Sequence, residues 1–218
     1  MAKYTGPICA ICGARACSAE PGTKELPPLC PMVAEAEMLK EAERVYQEKD
    51  DKRRLAQESA RTESAGYCRN TRIEEIMEFA RRLGARKLGI AHCIGFMQEA
   101  KMAREIFQAG GFAVYTVCCK VGSIDKESIG LKDEEKIRPG QYEALCNPVG
   151  QAAVLAQAGT ELNVVLGLCV GHDTLFFMHS KAPATVLVVK DRVLGHNPVA
   201  ALYTSHSYYG RLKRAQKS

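Results

Sequence analysis

The sequence predicts an α/β fold: a Rossmann-like three-layer domain on a parallel sheet, preceded by a cysteine-rich metal knuckle and a long helical segment. Three observations lead there. Four short apolar runs, at 87–93, 112–119, 162–169 and 185–190, are separated by stretches with helical spacing. Strands joined by single helices require crossovers, hence parallel pairing with helices on both faces. Residues 33–64 are rich in Ala, Glu, Lys and Arg, which favours helix on intrinsic propensity. The segment up to Pro31 holds Cys, Gly and Pro without helical or strand periodicity. The predicted organisation is a knuckle over 1–31, a helical connector over 32–65 and a Rossmann-like α/β domain over 66–218.

Each element has a local reason. The connector has few strong hydrophobes (Met38, Leu39, Val45, Tyr46, Leu55) and reads as one long helix or two shorter ones, with Lys49 to Arg54 as a solvated charge run and Gly66 as its end. Over 70–84, Ile73, Ile76, Met77, Phe79, Ala80 and Leu83 recur at helical spacing, with Asn70 as the candidate cap and Gly84 as the stop. A strand over 87–93 is followed by a helix from Phe96 to Gln108 that Gly110-Gly111 closes, and then by a second strand. The polar stretch 120–143 reads as a surface excursion. Asn147-Pro148 has the cap and first-turn grammar of a helix running to Gly159. A third strand, a short helix over 173–180 and a fourth strand complete the sheet, and the chain after Asn197-Pro198 reads as helical or irregular.

Composition narrows the function. Hydrophobic residues at 46% and charged residues at 25% describe a folded globular chain rather than a disordered one. The longest apolar stretch is broken by Gly171, His172 and Asp173, short of the roughly 18 residues of a membrane span. The first residues lack the apolar region of a secretory signal, so the expectation is a cytoplasmic protein with no membrane partner. Much of the net charge of +5 comes from Arg211 to Lys217, without interleaved aromatics, so nucleic acid is not an expected partner. The glycines form no dinucleotide-binding turn, which disfavours a nicotinamide enzyme.

Ten cysteines are too sparse for a disulfide scaffold in a chain of 218 residues, so those that cluster point to metal ligation or thiol chemistry. Cys9 and Cys12 stand at C-x2-C spacing with Gly13 after them, and Cys17 and Cys30 complete a set of four. Four soft thiolates suit zinc or an iron–sulfur cluster. The Cys30-Pro31 pair favours a 4Fe–4S cluster, whereas the C-x2-C knuckle equally serves zinc. Four separately buried thiols are the structural alternative, but this segment has few large hydrophobes to bury them.

The other cysteines share a place in the predicted fold. Cys93, Cys118-Cys119 and Cys169 end strands, and Cys146 precedes the Asn147 cap. Ligands of open parallel sheets bind beyond the strand carboxyl ends, and helix N-termini there lower thiol pKa values. Cys93, Cys118, Cys119, Cys146 and Cys169 are therefore the candidate cofactor-binding group, suited to a second iron–sulfur cluster, with His172 and Asp173 as candidate acid/base residues. Free cysteine is also a small core hydrophobe, so some of these thiols are expected to be core. Only one of the twins Cys118 and Cys119 can face a given side of a strand.

The four N-terminal cysteines, followed by Cys146-Asn-Pro-Val-Gly-Gln151, Gly167-Leu-Cys-Val-Gly-His-Asp173 and Val188-Val-Lys-Asp-Arg-Val-Leu-Gly-His-Asn-Pro198, resemble an uncharacterised prokaryotic family of metal-binding proteins, a domain of unknown function with four N-terminal cysteines. The resemblance spans nearly the whole chain. It implies metal binding by Cys9, Cys12, Cys17 and Cys30, and the family has no assigned reaction.

The expected function is a metal-binding, iron–sulfur protein with a second cysteine-lined site, acting in electron transfer or in redox or sulfur chemistry on a small substrate. A redox partner protein or a small molecule would be its counterpart, and a homo-oligomer is compatible with it. The alternative is a non-catalytic zinc protein whose α/β body binds a ligand or partner. A third reading is a thiol enzyme that uses Cys169 with His172.

Overall fold

A computed structural model of the chain describes residues 6–7 and 9–214. It falls into two compact units, Met1–Arg61 and Thr62–Ser218. No helix among the described residues is long and apolar enough to cross a membrane.

In the first unit, short turns at Cys9–Ile11 and Ala16–Ser18 lead to the one-turn helix α1 (Pro31–Ala34) and to α2 (Ala36–Gln47). Helix α3 (Asp51–Gly66) contains the boundary between the units. Two full helices and a single turn therefore stand where one or two helices were expected. The break at 48–50 falls in the charge run, where Asp50 Oδ1 accepts the Lys52 and Arg53 amide protons and so starts α3. Ala16 is the one buried residue among the described residues of this unit.

The second unit is α/β. Helix α4 (Arg72–Arg82) leads to β1 (Lys87–His92), α5 (Met97–Ala109) to β2 (Ala113–Cys118), and α6 (Pro148–Gln157) to β3 (Leu162–Leu166). Helix α7 (His172–His179), β4 (Ala184–Val188) and α8 (Val199–Tyr203) follow. The cap of α4 is Thr71 rather than Asn70. Thr71 and Glu74 close a capping box, which satisfies more amide protons than a lone Asn.

The sheet is all parallel in the order β2-β1-β3-β4. Right-handed crossovers put α5 on one face and α6 and α7 on the other. Helices α6 and α7 pack together, while Arg81 of α4 donates to Gly110 O at the end of α5 (3.2 Å). β3 is buried along its whole length, as a central parallel strand covered on both faces must be. Phe107 and Phe176 are wholly enclosed, each contributing about 1.5–3 kcal/mol by burial. Gly89 lets α6 close on the sheet, since a Cβ there would lie 3.0 Å from Leu155 and 2.2 Å from Asn163 Oδ1.

The excursion 120–146 is ordered by its own contacts. Asp125 bridges Ala144 in antiparallel fashion, and Lys126 N donates to Glu143 O (3.1 Å). The Lys136 ammonium, enclosed in the loop, reaches Glu127 (2.7 Å), Asp133 (2.5 Å) and Gln141 O (2.7 Å). The loop thereby returns the chain to its starting point: Asn147 N donates to Cys119 O at 2.7 Å.

Candidate functional site

At the carboxyl edge of the sheet, three cysteines from three different segments meet. Cys93 follows β1 and caps the turn Ile94–Phe96, its sulfur accepting from Gly95 N (3.5 Å). Cys119 follows β2; its amide donates to His92 O (2.8 Å), and its sulfur accepts from Ile94 N (3.3 Å). Cys146 is delivered by the closed loop to the position before the cap of α6, where Asn147 Oδ1 accepts from Gly150 N (2.8 Å). The sulfurs form a row, because Cys119 is hydrogen-bonded to both Cys93 and Cys146.

Cations surround the row. Lys190, just past β4, donates to Cys93 Sγ at 2.6 Å and lies 5.3 Å from the Phe96 ring centroid. Lys120 and His172 both act on the charge of Cys146, and Lys120 also hydrogen-bonds it. Arg192 donates to Cys169 Sγ at 3.0 Å. The hydrogen bond from Cys119, helped by Lys190 and the Gly95 amide, outweighs burial and brings the Cys93 pKa down to about 4. Cys146 falls to about 5, through Cys119 first and Lys120 and His172 after it. Cys119, flanked by both sulfurs and buried, is pushed up and keeps its proton. These shifts favour the thiolate on Cys93 and Cys146 and the thiol on Cys119 between them.

The five candidate cysteines are thus not one group. Cys93, Cys119 and Cys146 come together, and Cys169 is held by Arg192 on the partly exposed turn before α7. Cys118 is partly buried and packs against the hydrophobic core, as expected of twins on an alternating strand. His172 and Asp173 open α7. His172 acts on the Cys146 charge, whereas the Asp173 carboxylate accepts from Thr174 N (2.8 Å). His92 is buried, with Nδ1 3.1 Å from Cys93 O.

Sequence reasoning missed the cations. Lys120, Lys190 and Arg192 fall within four residues after the ends of β2 and β4, and such charges at a crevice were the signal available.

In the first unit, Cys9, Cys12, Cys17 and Cys30 line one pocket of about 690 Å³ with Leu26, Pro27 and Leu29. Cys12 N donates to Cys9 O (3.1 Å), and Cys30 N to Pro27 O (2.8 Å) before Pro31 opens α1. Four sulfurs on one pocket, in a segment with almost nothing buried, are the right donors for a soft metal. Among the described residues, however, no three His, Cys, Asp or Glu side chains stand close enough to hold one ion. Ligation would therefore draw the sulfurs inward.

Fold and site define the class: a parallel α/β protein with a cation-ringed cysteine row at the strand ends. The chain belongs to the family described as Protein of unknown function (DUF1847), which matches residues 30–187. It is 48% identical over 158 residues to Uncharacterized protein MJ0455 of Methanocaldococcus jannaschii, covering 72% of this chain and 80% of that protein. The family match contains the whole cysteine row and Cys30, while Cys9, Cys12 and Cys17 precede it.

Proposed function

We propose that this is a cytoplasmic thiol protein that carries out redox or sulfur chemistry on a small substrate at Cys93, Cys119 and Cys146. The observation that carries the reading is the row itself: Cys119 hydrogen-bonded to Cys93 on one side and to Cys146 on the other, with Lys190 on the Cys93 sulfur and Lys120 on the Cys146 sulfur. A thiolate is the nucleophilic form of cysteine, and cations with a helix N-terminus are what hold it ionised near neutrality. Of the two thiolates, Cys146 is the more exposed and is the group that would meet the substrate.

Competitive alkylation of the full chain at about pH 6, with each cysteine mapped by mass spectrometry, tests this. An ordinary thiol of pKa about 8.5 is roughly 0.3% ionised there. Cys146, at about 5, is mostly thiolate. Lower basicity gives back part of that advantage, leaving Cys146 about tenfold faster than the exposed Cys68. Equal labelling of the two would overturn the reading.

The pocket of Cys9, Cys12, Cys17 and Cys30 supports a second part of the proposal, metal binding in the first unit. An iron–sulfur cluster there would supply electron transfer, and zinc would supply folding free energy alone. Metal and sulfide analysis after anaerobic purification distinguishes them: iron with matching sulfide marks the cluster, zinc without sulfide the structural site. Changing Cys9 and Cys12 together to Ser is expected to remove that metal and leave Cys146 labelling unchanged. Retention of full metal would contradict the assignment.

A further inference from the structure

Of the three sulfurs in the row, one can be reached and one sits in the middle. Cys146 is partly exposed, whereas Cys93 is 5% and Cys119 1% exposed. Backbone bonds fix both spacings. Asn147 N to Cys119 O sets Cys146 beside Cys119, and Cys119 N to His92 O sets Cys119 beside Cys93. The side chains meet as well, with Cys119 hydrogen-bonded to Cys146 on one side and to Cys93 on the other, and two sulfurs in hydrogen-bond contact need only a small approach to form the S–S bond. Cys119 is thus placed to bond covalently to Cys146 while Cys93 stands on its other side.

We propose that Cys146 and Cys119 are the attacking and resolving thiols of a couple that reduces small organic disulfides, with Cys93 accepting the proton; this rests on the thiol reading above. In the first step the Cys146 thiolate attacks one sulfur of the substrate RSSR, forms a mixed disulfide and expels RS⁻. In the second, Cys119 passes its proton to the Cys93 thiolate, attacks the Cys146 sulfur and expels the second RS⁻. The substrate takes up two electrons, and the Cys119–Cys146 disulfide records their loss. The proton on Cys93 leaves with the second thiolate as RSH, and a dithiol reductant restores the couple.

The electrostatics run the same way. Both neighbouring sulfurs hold the proton on Cys119. Once Cys146 is consumed in the mixed disulfide, one of these influences disappears, and Cys119 ionises when it is needed. The charged and titratable groups facing the row are Lys120 after β2, His172 at the start of α7, and Lys190 and Arg192 after β4. Lys120, Lys190 and Arg192 bring positive charge to the row, which favours departure of the thiolate products.

The test uses the full chain, reduced and kept anaerobic, with bis(2-hydroxyethyl) disulfide at about pH 6. After acid quench, linked and free cysteines are mapped by mass spectrometry. The proposal expects a Cys119–Cys146 disulfide in the wild type. Cys119→Ser is expected to stop at a stable mixed disulfide on Cys146. Because Cys119 is enclosed, Cys119→Ala is run beside it with circular dichroism as the check on folding. Cys93→Ser is expected to form the mixed disulfide at the wild-type rate but to resolve it about a hundredfold more slowly. A mixed disulfide that persists on Cys146 in the wild type, or a Cys93–Cys119 disulfide in place of the expected one, would overturn the couple and leave the thiolate reading intact. An unmodified Cys146 would overturn both.

Discussion

The thiolates are held by single contacts whose removal can be reasoned one residue at a time. Lys190 reaches Cys93 across the Phe96 ring, against which Gly167 fits closely. Gly167 sits at φ +65°, and a Cβ there would lie 2.3 Å from the Phe96 ring, which itself meets the His196 ring tilted at 53° with 4.4 Å between centroids. Gly167→Ala would combine left-handed strain with an overlap that only a displaced ring relieves. The expected loss is about 1–3 kcal/mol of stability in denaturant unfolding. An unchanged midpoint would show that the ring is not locked as described. At this scale the sequence was partly legible. Cysteines placed at strand ends by their position after apolar runs did reach the sheet edge, but the lysines and the arginine that give them their charge state look in sequence like ordinary solvated residues. Their place after the apolar runs is the one sign Lys120 and Lys190 carry, and it becomes specific only when the strands are in register.

At the scale of elements, the four strands and the helices between them were readable because their periodicity is strong and their punctuation explicit. Asn147-Pro148 opens α6, with the Asn side chain accepting from Gly150 N as its position foretold. Boundaries were less so. The predicted strands at 112–119 and 162–169 end earlier, at Cys118 and Leu166, because the turns carrying Cys119 and Cys169 leave the sheet to form the site. The Thr71–Glu74 box outcompeted Asn70, and Asp50 decided between the one long helix and the two shorter ones that helix propensity alone allows. The excursion 120–146 was hardest to read. Its polar composition describes a surface loop, yet its closure around Lys136 and the Asp125–Ala144 bridge is what carries Cys146 back to Cys119. Non-local closure of this kind leaves no periodic trace in a sequence.

For the whole molecule, the two groups of cysteines occupy two units of different character. One is a core-poor segment whose sulfurs line a pocket, and the other is a packed α/β unit whose sulfurs sit at the strand ends among cations. The thiol reading turns on the second, where partly exposed Cys146 would be ionised under conditions in which a free thiol is protonated. Because the Cys146 pKa is depressed, the thiolate is present above about pH 5 and is lost as the pH falls through that value. The most direct measurement is the alkylation rate of Cys146 in the full chain, followed by mass spectrometry from about pH 4 to pH 9. A rate that rises with a midpoint near 5 and is flat thereafter is the predicted result. A rate that keeps climbing to a midpoint at the ordinary thiol value of about 8.5 would contradict it.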